Sequence, residues 1–126
     1  MKQVWIVDDD EEMAKAVSLM LKLLDCQSRH FLNARGAAQE LLAGKRPDLM
    51  ILDMSMPEVT GLMMLEFVRR RPEWKNLPIL MLSSEAADVQ VDQAISLGAD
   101  GYITKPVSLE ELEAALQTAF QKHGKI

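Results

Sequence analysis

The sequence predicts an α/β domain: a doubly wound, five-stranded parallel sheet flanked by five helices. Three observations carry this. The runs at 4–7, 49–52 and 79–82 are apolar with almost no polar interruption, as strands buried on both faces require. Longer amphipathic stretches alternate with them. Strand–helix units in series imply parallel pairing through right-handed crossovers, which places helices on both faces.

The first strand, VWIV at 4–7, runs directly into five acids, Asp8 to Glu12. A helix over 11–25 then sets Met13, Ala16, Val17, Met20, Leu21 and Leu24 along one face. Asp10 is a candidate N-cap, and Glu11 and Glu12 suit the positive end of the helix dipole. The segment QSRHFL at 27–32 is more polar and suits a sheet edge. A short helix over 34–43 leads to the strand LMIL at 49–52. Thr60 precedes a helix over 61–71 as its cap, and a fourth helix over 86–97 ends at Gly98. GYIT at 101–104 is the fifth strand. The last helix opens on SLEE, Ser108 to Glu111, a capping-box pattern, and runs to about residue 122.

The chain has 126 residues, 48% hydrophobic and 26% charged, which suits one domain with one core. We expect that domain over residues 1–122, with 123–126 a tail or the start of a linker. A net charge of −5 and a pI near 5.0 argue against gripping nucleic acid or an anionic membrane by bulk charge. The single cysteine, Cys26, cannot staple the fold, so a reducing compartment is expected. No apolar run approaches the ~20 residues of a membrane helix, and the N-terminus lacks a signal-peptide pattern. A cytoplasmic protein is the expectation. His30 and His123 stand too far from other ligands to suggest a metal site or triad. There is no Walker loop and no Gly-x-Ser-x-Gly elbow. The run Arg69-Arg70-Arg71 reads as a solvated helix end.

In doubly wound folds, ligands sit at the carboxyl ends of the strands, where strand order reverses. The residues just after the strands are Asp8-Asp9-Asp10, Asp53, Ser83-Ser84-Glu85 and Lys105-Pro106. Asp8, Asp9 and Asp53 should therefore converge. Three carboxylates in one crevice require a cation, and an all-oxygen anionic set favours Mg²⁺ or Mn²⁺. Lys105 adds an ammonium and Ser83 a hydroxyl, together suited to the equatorial oxygens of a phosphoryl group. An Asp carboxylate is an established nucleophile in phosphoryl transfer.

The pieces VDDDEEM, LDMSMPEVTG, LSSE and GYITKPVSLEEL, in this order and spacing, resemble the response-regulator receiver domains of bacterial two-component signalling. The resemblance runs from the first strand to the last helix. It implies a flavodoxin-like sheet of order 2-1-3-4-5. It also implies that Asp53 is the phosphoacceptor and that Asp8 and Asp9 form the metal-binding acidic pair. Ser55 would offer its backbone carbonyl to the metal. Ser83 and Tyr102 fall at the switch positions, and Lys105 at the family's lysine. The Lys105–Pro106 peptide is implied to be cis. Ser55 and Glu85 would flank the attacking water and tune dephosphorylation. Ser83 stands where Thr is commoner, keeping the hydroxyl without the methyl.

The expected function is a phosphorylation-dependent switch. It would take a phosphoryl group from a phosphohistidine on a sensor kinase or phosphotransfer protein, or from a small phosphodonor, and dephosphorylate itself. The surface of the fourth helix, fifth strand and fifth helix would then change and meet an effector, an attached output domain or a second copy. No direct contact with nucleic acid or membrane is expected of this domain. Two other classes compete: a Mg²⁺-dependent phosphatase with an Asp nucleophile, and a phosphorylation-independent interaction module. The phosphatase reading would want an acid two residues after the nucleophile, where this chain has Ser55.

Overall fold

The computed structural model describes residues 1–84 and 88–124. It forms one parallel sheet of five strands in the order β2-β1-β3-β4-β5. The elements run β1 (Lys2–Val7), α1 (Glu11–Leu23), β2 (Cys26–Phe31), α2 (Ala34–Leu42), β3 (Leu49–Asp53), α3 (Gly61–Arg69), β4 (Ile79–Ser83), α4 (Asp88–Ser96), β5 (Gly101–Thr104) and α5 (Leu109–Lys122). One 3₁₀ turn, Pro72–Trp74, follows α3.

Side-chain alternation along the strands divides the core. In β1, Val4 and Ile6 face α1 and α5, where Val17, Leu21, Leu112, Leu116 and Phe120 cover them. Trp5 and Val7 face the opposite layer, which includes Ala37 and Leu41 of α2 and Met64, Leu65 and Val68 of α3. β3 and β4 are buried along their whole length, and apart from Asp53 and Ser83 at their ends both their faces are apolar. Each fully buried Leu, Ile or Met adds roughly 1.5–3 kcal/mol of hydrophobic stabilisation.

Local chemistry starts the helices where the core pattern needs them. Asp10, Asn33, Thr60 and Ser108 each accept a backbone N–H from the third residue of their helix. Asp25 ends the α1 connection in a left-handed conformation (φ 61°), and so α1 stops two residues before the expected end. β1 begins two residues earlier than the apolar run, because Lys2 and Gln3 pair with Cys26 and Gln27 of the edge strand. β3 and β4 each extend one residue further than read, so Asp53 and Ser83 are the last residues of their strands. The expected start of the fourth helix, at Ala86, lies outside the described residues.

Arg69 departs from the solvated helix end that the sequence suggested. Its side chain is 14% exposed and lies 3.1 Å from Asp100 Oδ2. Its guanidinium also donates to the carbonyls of Gly98 and Trp74. Asp100 Oδ2 further accepts the Ile79 N–H, and Asp100 Oδ1 lies 2.9 Å from His123 Nε2. This cluster sits at the amino ends of β4 and β5 and ties the ends of α3 and α5 to the sheet. Arg70 is exposed, as expected.

Candidate functional site

Parallel strands carry their carboxyl ends to one edge of the sheet. There Asp8 follows β1, Asp53 ends β3, Ser83 ends β4 and Lys105 follows β5. One carboxylate oxygen from each of Asp8, Asp9 and Asp53 lies within 4.8 Å of the others. Asp8 is fully buried and Asp53 is 4% exposed, while Asp9 is exposed. The opening block of acids therefore divides. Asp8 and Asp9 join Asp53, whereas Asp10 caps α1 by accepting the Met13 N–H.

Lys105 joins the two buried acids. Its Nζ is 3.3 Å from Asp8 Oδ2 and 3.4 Å from Asp53 Oδ1. Asp8 Oδ1 accepts the Asp10 N–H at 2.9 Å. Asp8 Oδ2 lies within ion-pair range of Lys105 but has no hydrogen bond of good geometry. Burial pushes the Asp53 carboxyl up to about 6, and the neighbouring Asp8 carboxylate adds to this. The Lys105 ammonium and the backbone N–H of Ser55 pull it back only in part. Burial works to lower the Lys105 ammonium, but the Asp53 and Asp8 carboxylates outweigh it and hold the group above its ordinary value.

A hard divalent cation fits these residues. The donor set is all oxygen, the buried pair carries more negative charge than one ammonium balances, and Asp8 Oδ2 has no well-aligned hydrogen bond. Asp8, Asp9 and Asp53 are the residues that would hold it.

Gly61 brings α3 against the end of β3. A Cβ at this position would stand 2.2 Å from the Asp53 carbonyl oxygen, so the close approach excludes any side chain. Ser55 is exposed on the connecting loop. Ser83 is 3% exposed, and its carbonyl accepts the Lys105 N–H at 2.7 Å. Tyr102 is half-buried at the margin of the α2–α3 side of the core, opposite Met81. Its hydroxyl lies 3.5 Å from that of Thr104. The Lys105–Pro106 peptide is cis. Glu85 lies outside the described residues. Between β5 and α5 is a shallow cavity of about 500 Å³, lined in part by Tyr102, Thr104, Glu111 and Thr118.

Sequence reasoning missed one neighbour of the site. His30 Nε2 lies 2.7 Å from the backbone carbonyl of Asp8. Nothing in QSRHFL announces this contact, because it depends on the pairing of β2 with β1.

Among the described residues no helix is long and apolar enough to cross a membrane. Residues 4–117 match the family model described as the response regulator receiver domain. The chain is 30% identical over 126 residues to the KDP operon transcriptional regulatory protein KdpE of Escherichia coli, covering 98% of this chain and 53% of that one. It is 30% identical over 120 residues to the chemotaxis protein CheY-3 of Vibrio cholerae, covering 95% and 92%. The chain thus spans about half the length of the transcriptional regulator and nearly all of the chemotaxis protein. The solved structure of Vibrio cholerae chemotaxis protein CheY4 superposes with a TM-score of 0.85 at 31% identity, over 94% of this chain and 98% of that one.

Proposed function

We propose, because this chain belongs to the family of response regulator receiver domains, that Asp53 accepts a phosphoryl group and thereby switches the surface this domain offers to partners. The observation that carries the reading is Lys105, whose ammonium reaches both buried acids at 3.3 and 3.4 Å. A group that binds two anions in one crevice is placed to bind the anion formed there.

In the proposed step, a carboxylate oxygen of Asp53 attacks the phosphorus of a phosphohistidine on a sensor kinase or phosphotransfer protein, or of a small phosphodonor. An O–P bond forms. The P–N or P–O bond to the donor breaks, and its electron pair leaves with the donor. Asp8, Asp9, Asp53 and the backbone carbonyl of Ser55 would hold Mg²⁺ or Mn²⁺. When bound, the cation supplies charge neutralisation for the phosphoryl oxygens. Lys105 and the Ser83 hydroxyl would take the remaining oxygens. Water attacking phosphorus later expels the Asp53 carboxylate and resets the domain, and the identities of Ser55 and Glu85 would tune its rate.

Withdrawal of Ser83 toward the phosphoryl group would open space for Tyr102 to turn inward. Contacts made only in the phosphorylated state bias the equilibrium. The readout would be the face of α4, β5 and α5, for an effector, an output domain or a second copy. We assign the receiver to residues 1–122 together with His123, whose ring lies 2.9 Å from Asp100 Oδ1, in a cytoplasmic protein.

The test is an intact mass after incubation with Mg²⁺ and acetyl phosphate or phosphoramidate. One added phosphoryl group is expected, lost with Asp53→Asn or EDTA. Beryllofluoride binding covers a short-lived adduct. Absence of both the adduct and beryllofluoride binding would refute the reading, and steady turnover of phosphomonoesters without an adduct would favour an aspartate-nucleophile phosphatase.

A further inference from the structure

We infer that His30 is a positioning residue for the acidic pair: its ring locks the peptide unit that joins Asp8 to Asp9 and thereby sets the strength of divalent-cation binding. The inference rests on the reading of the crevice as a metal and phosphoryl site.

β2 ends at Phe31, and the chain then turns toward Asn33, the cap of α2. The backbone ladder between β1 and β2 accordingly closes with the Asp8 N–H donating to the Phe31 carbonyl at 3.0 Å. The next group on β1 is the Asp8 carbonyl. It is met by the His30 side chain, with Nε2 at 2.7 Å. A carbonyl only accepts, so Nε2 carries the proton and donates. The pairing of Ile6 with His30 supplies the register that lets the ring reach one step beyond the strand's end.

The restrained carbonyl belongs to the peptide linking the two acids. Asp8 is held in addition through its carboxylate, by the Asp10 N–H and by Lys105. Asp9 is exposed, and its orientation follows the peptide plane before it. Without the His30 donor that plane is free to rotate, which swings the Asp9 carboxylate away from Asp8 and Asp53. Partners that orient ligands in this way are a general determinant of metal affinity.

The test compares Mn²⁺ binding, followed by loss of the free-ion electron paramagnetic resonance signal, in wild type, His30→Leu, His30→Gln and Asp9→Asn. Thermal midpoints are measured in EDTA alongside. Loss of one such hydrogen bond corresponds to about fivefold weaker binding in His30→Leu. Gln carries an amide N–H at nearly the reach of Nε2, so His30→Gln should stay within about twofold of wild type. A purely structural role would lower the thermal midpoint without this rescue of affinity. Equal affinities in wild type and His30→Leu, or a His30→Gln variant as weak as His30→Leu, would overturn the inference while leaving the metal site standing. Should His30→Leu not fold, His30→Asn, polar but too short to reach, takes its place with the same expectation. If wild type binds no Mn²⁺, or Asp9→Asn binds it unchanged, the metal reading itself falls and takes the inference with it.

Discussion

Lys105 Nζ stands 3.4 Å from Asp53 Oδ1, so the ammonium already occupies the edge of the crevice where we place the phosphoryl group. The same ammonium competes with a divalent cation for carboxylate charge and assists any phosphoryl group that arrives. Lys105→Met should separate the two effects. Mg²⁺ affinity should hold or rise, while phosphorylation by acetyl phosphate slows by about tenfold or more. Calorimetric Mg²⁺ titration and time-resolved intact mass would check both. A variant that loses Mg²⁺ affinity and keeps its phosphorylation rate would contradict this division.

The elevated Asp53 carboxyl makes a prediction about pH. Its ordinary value is 3.8 and the fold raises it to about 6. Between these values the folded state holds the proton more tightly than the unfolded chain. Metal-free protein should therefore lose stability as pH rises from about 4 to 6 and gain nothing back above that range. Asp53→Asn should stabilise the metal-free domain by about 3 kcal/mol at pH 7.5 and by little at pH 4. Urea denaturation in EDTA at the two pH values measures this, and saturating Mg²⁺ should narrow the difference at pH 7.5.

Gly61→Ala places a methyl group against the Asp53 carbonyl, where a Cβ would be 2.2 Å away. Backbone, not a flexible side chain, must yield. We expect a loss of about 1–3 kcal/mol together with weaker Mg²⁺ binding, since the displaced residue, Asp53, is the proposed phosphoacceptor and a proposed metal ligand. Unfolding and metal titration on the same preparation would show whether the two losses travel together.

Asp100→Asn removes the charge facing Arg69 at the opposite end of the sheet. An almost buried guanidinium is then left without its partner, at a cost of about 3 kcal/mol. Mg²⁺ affinity should be unchanged, because no residue of this cluster touches the acids. Reduced stability with unaltered metal titration is the expected pair of results.

Much of the fold and of the candidate site was legible in the chain itself. Apolar runs at 4–7, 49–52 and 79–82 end at carboxylates and hydroxyls, and parallel strands bring such ends to one edge. Asp10, Thr60 and Ser108 could be read as caps because capping is a local transaction between neighbours. Arg69 could not be told from Arg70 and Arg71, since its partner Asp100 lies 31 residues away. Nor could His30 be seen beside Asp8, 22 residues distant.

The sequence by itself determined the alternation of buried strands and amphipathic helices, the starts of α1, α2, α3 and α5, and the identities of the residues at the strand ends. Period, capping and composition are properties of short segments. Tertiary structure alone decided that Asp53 sits buried beside Asp8 with its proton held to about 6, that Lys105 reaches both acids, and that His30 closes the ladder at Asp8. Those outcomes depend on register, burial and distance between segments far apart in the chain. A shift of one residue in strand pairing would turn each of these side chains to the other face.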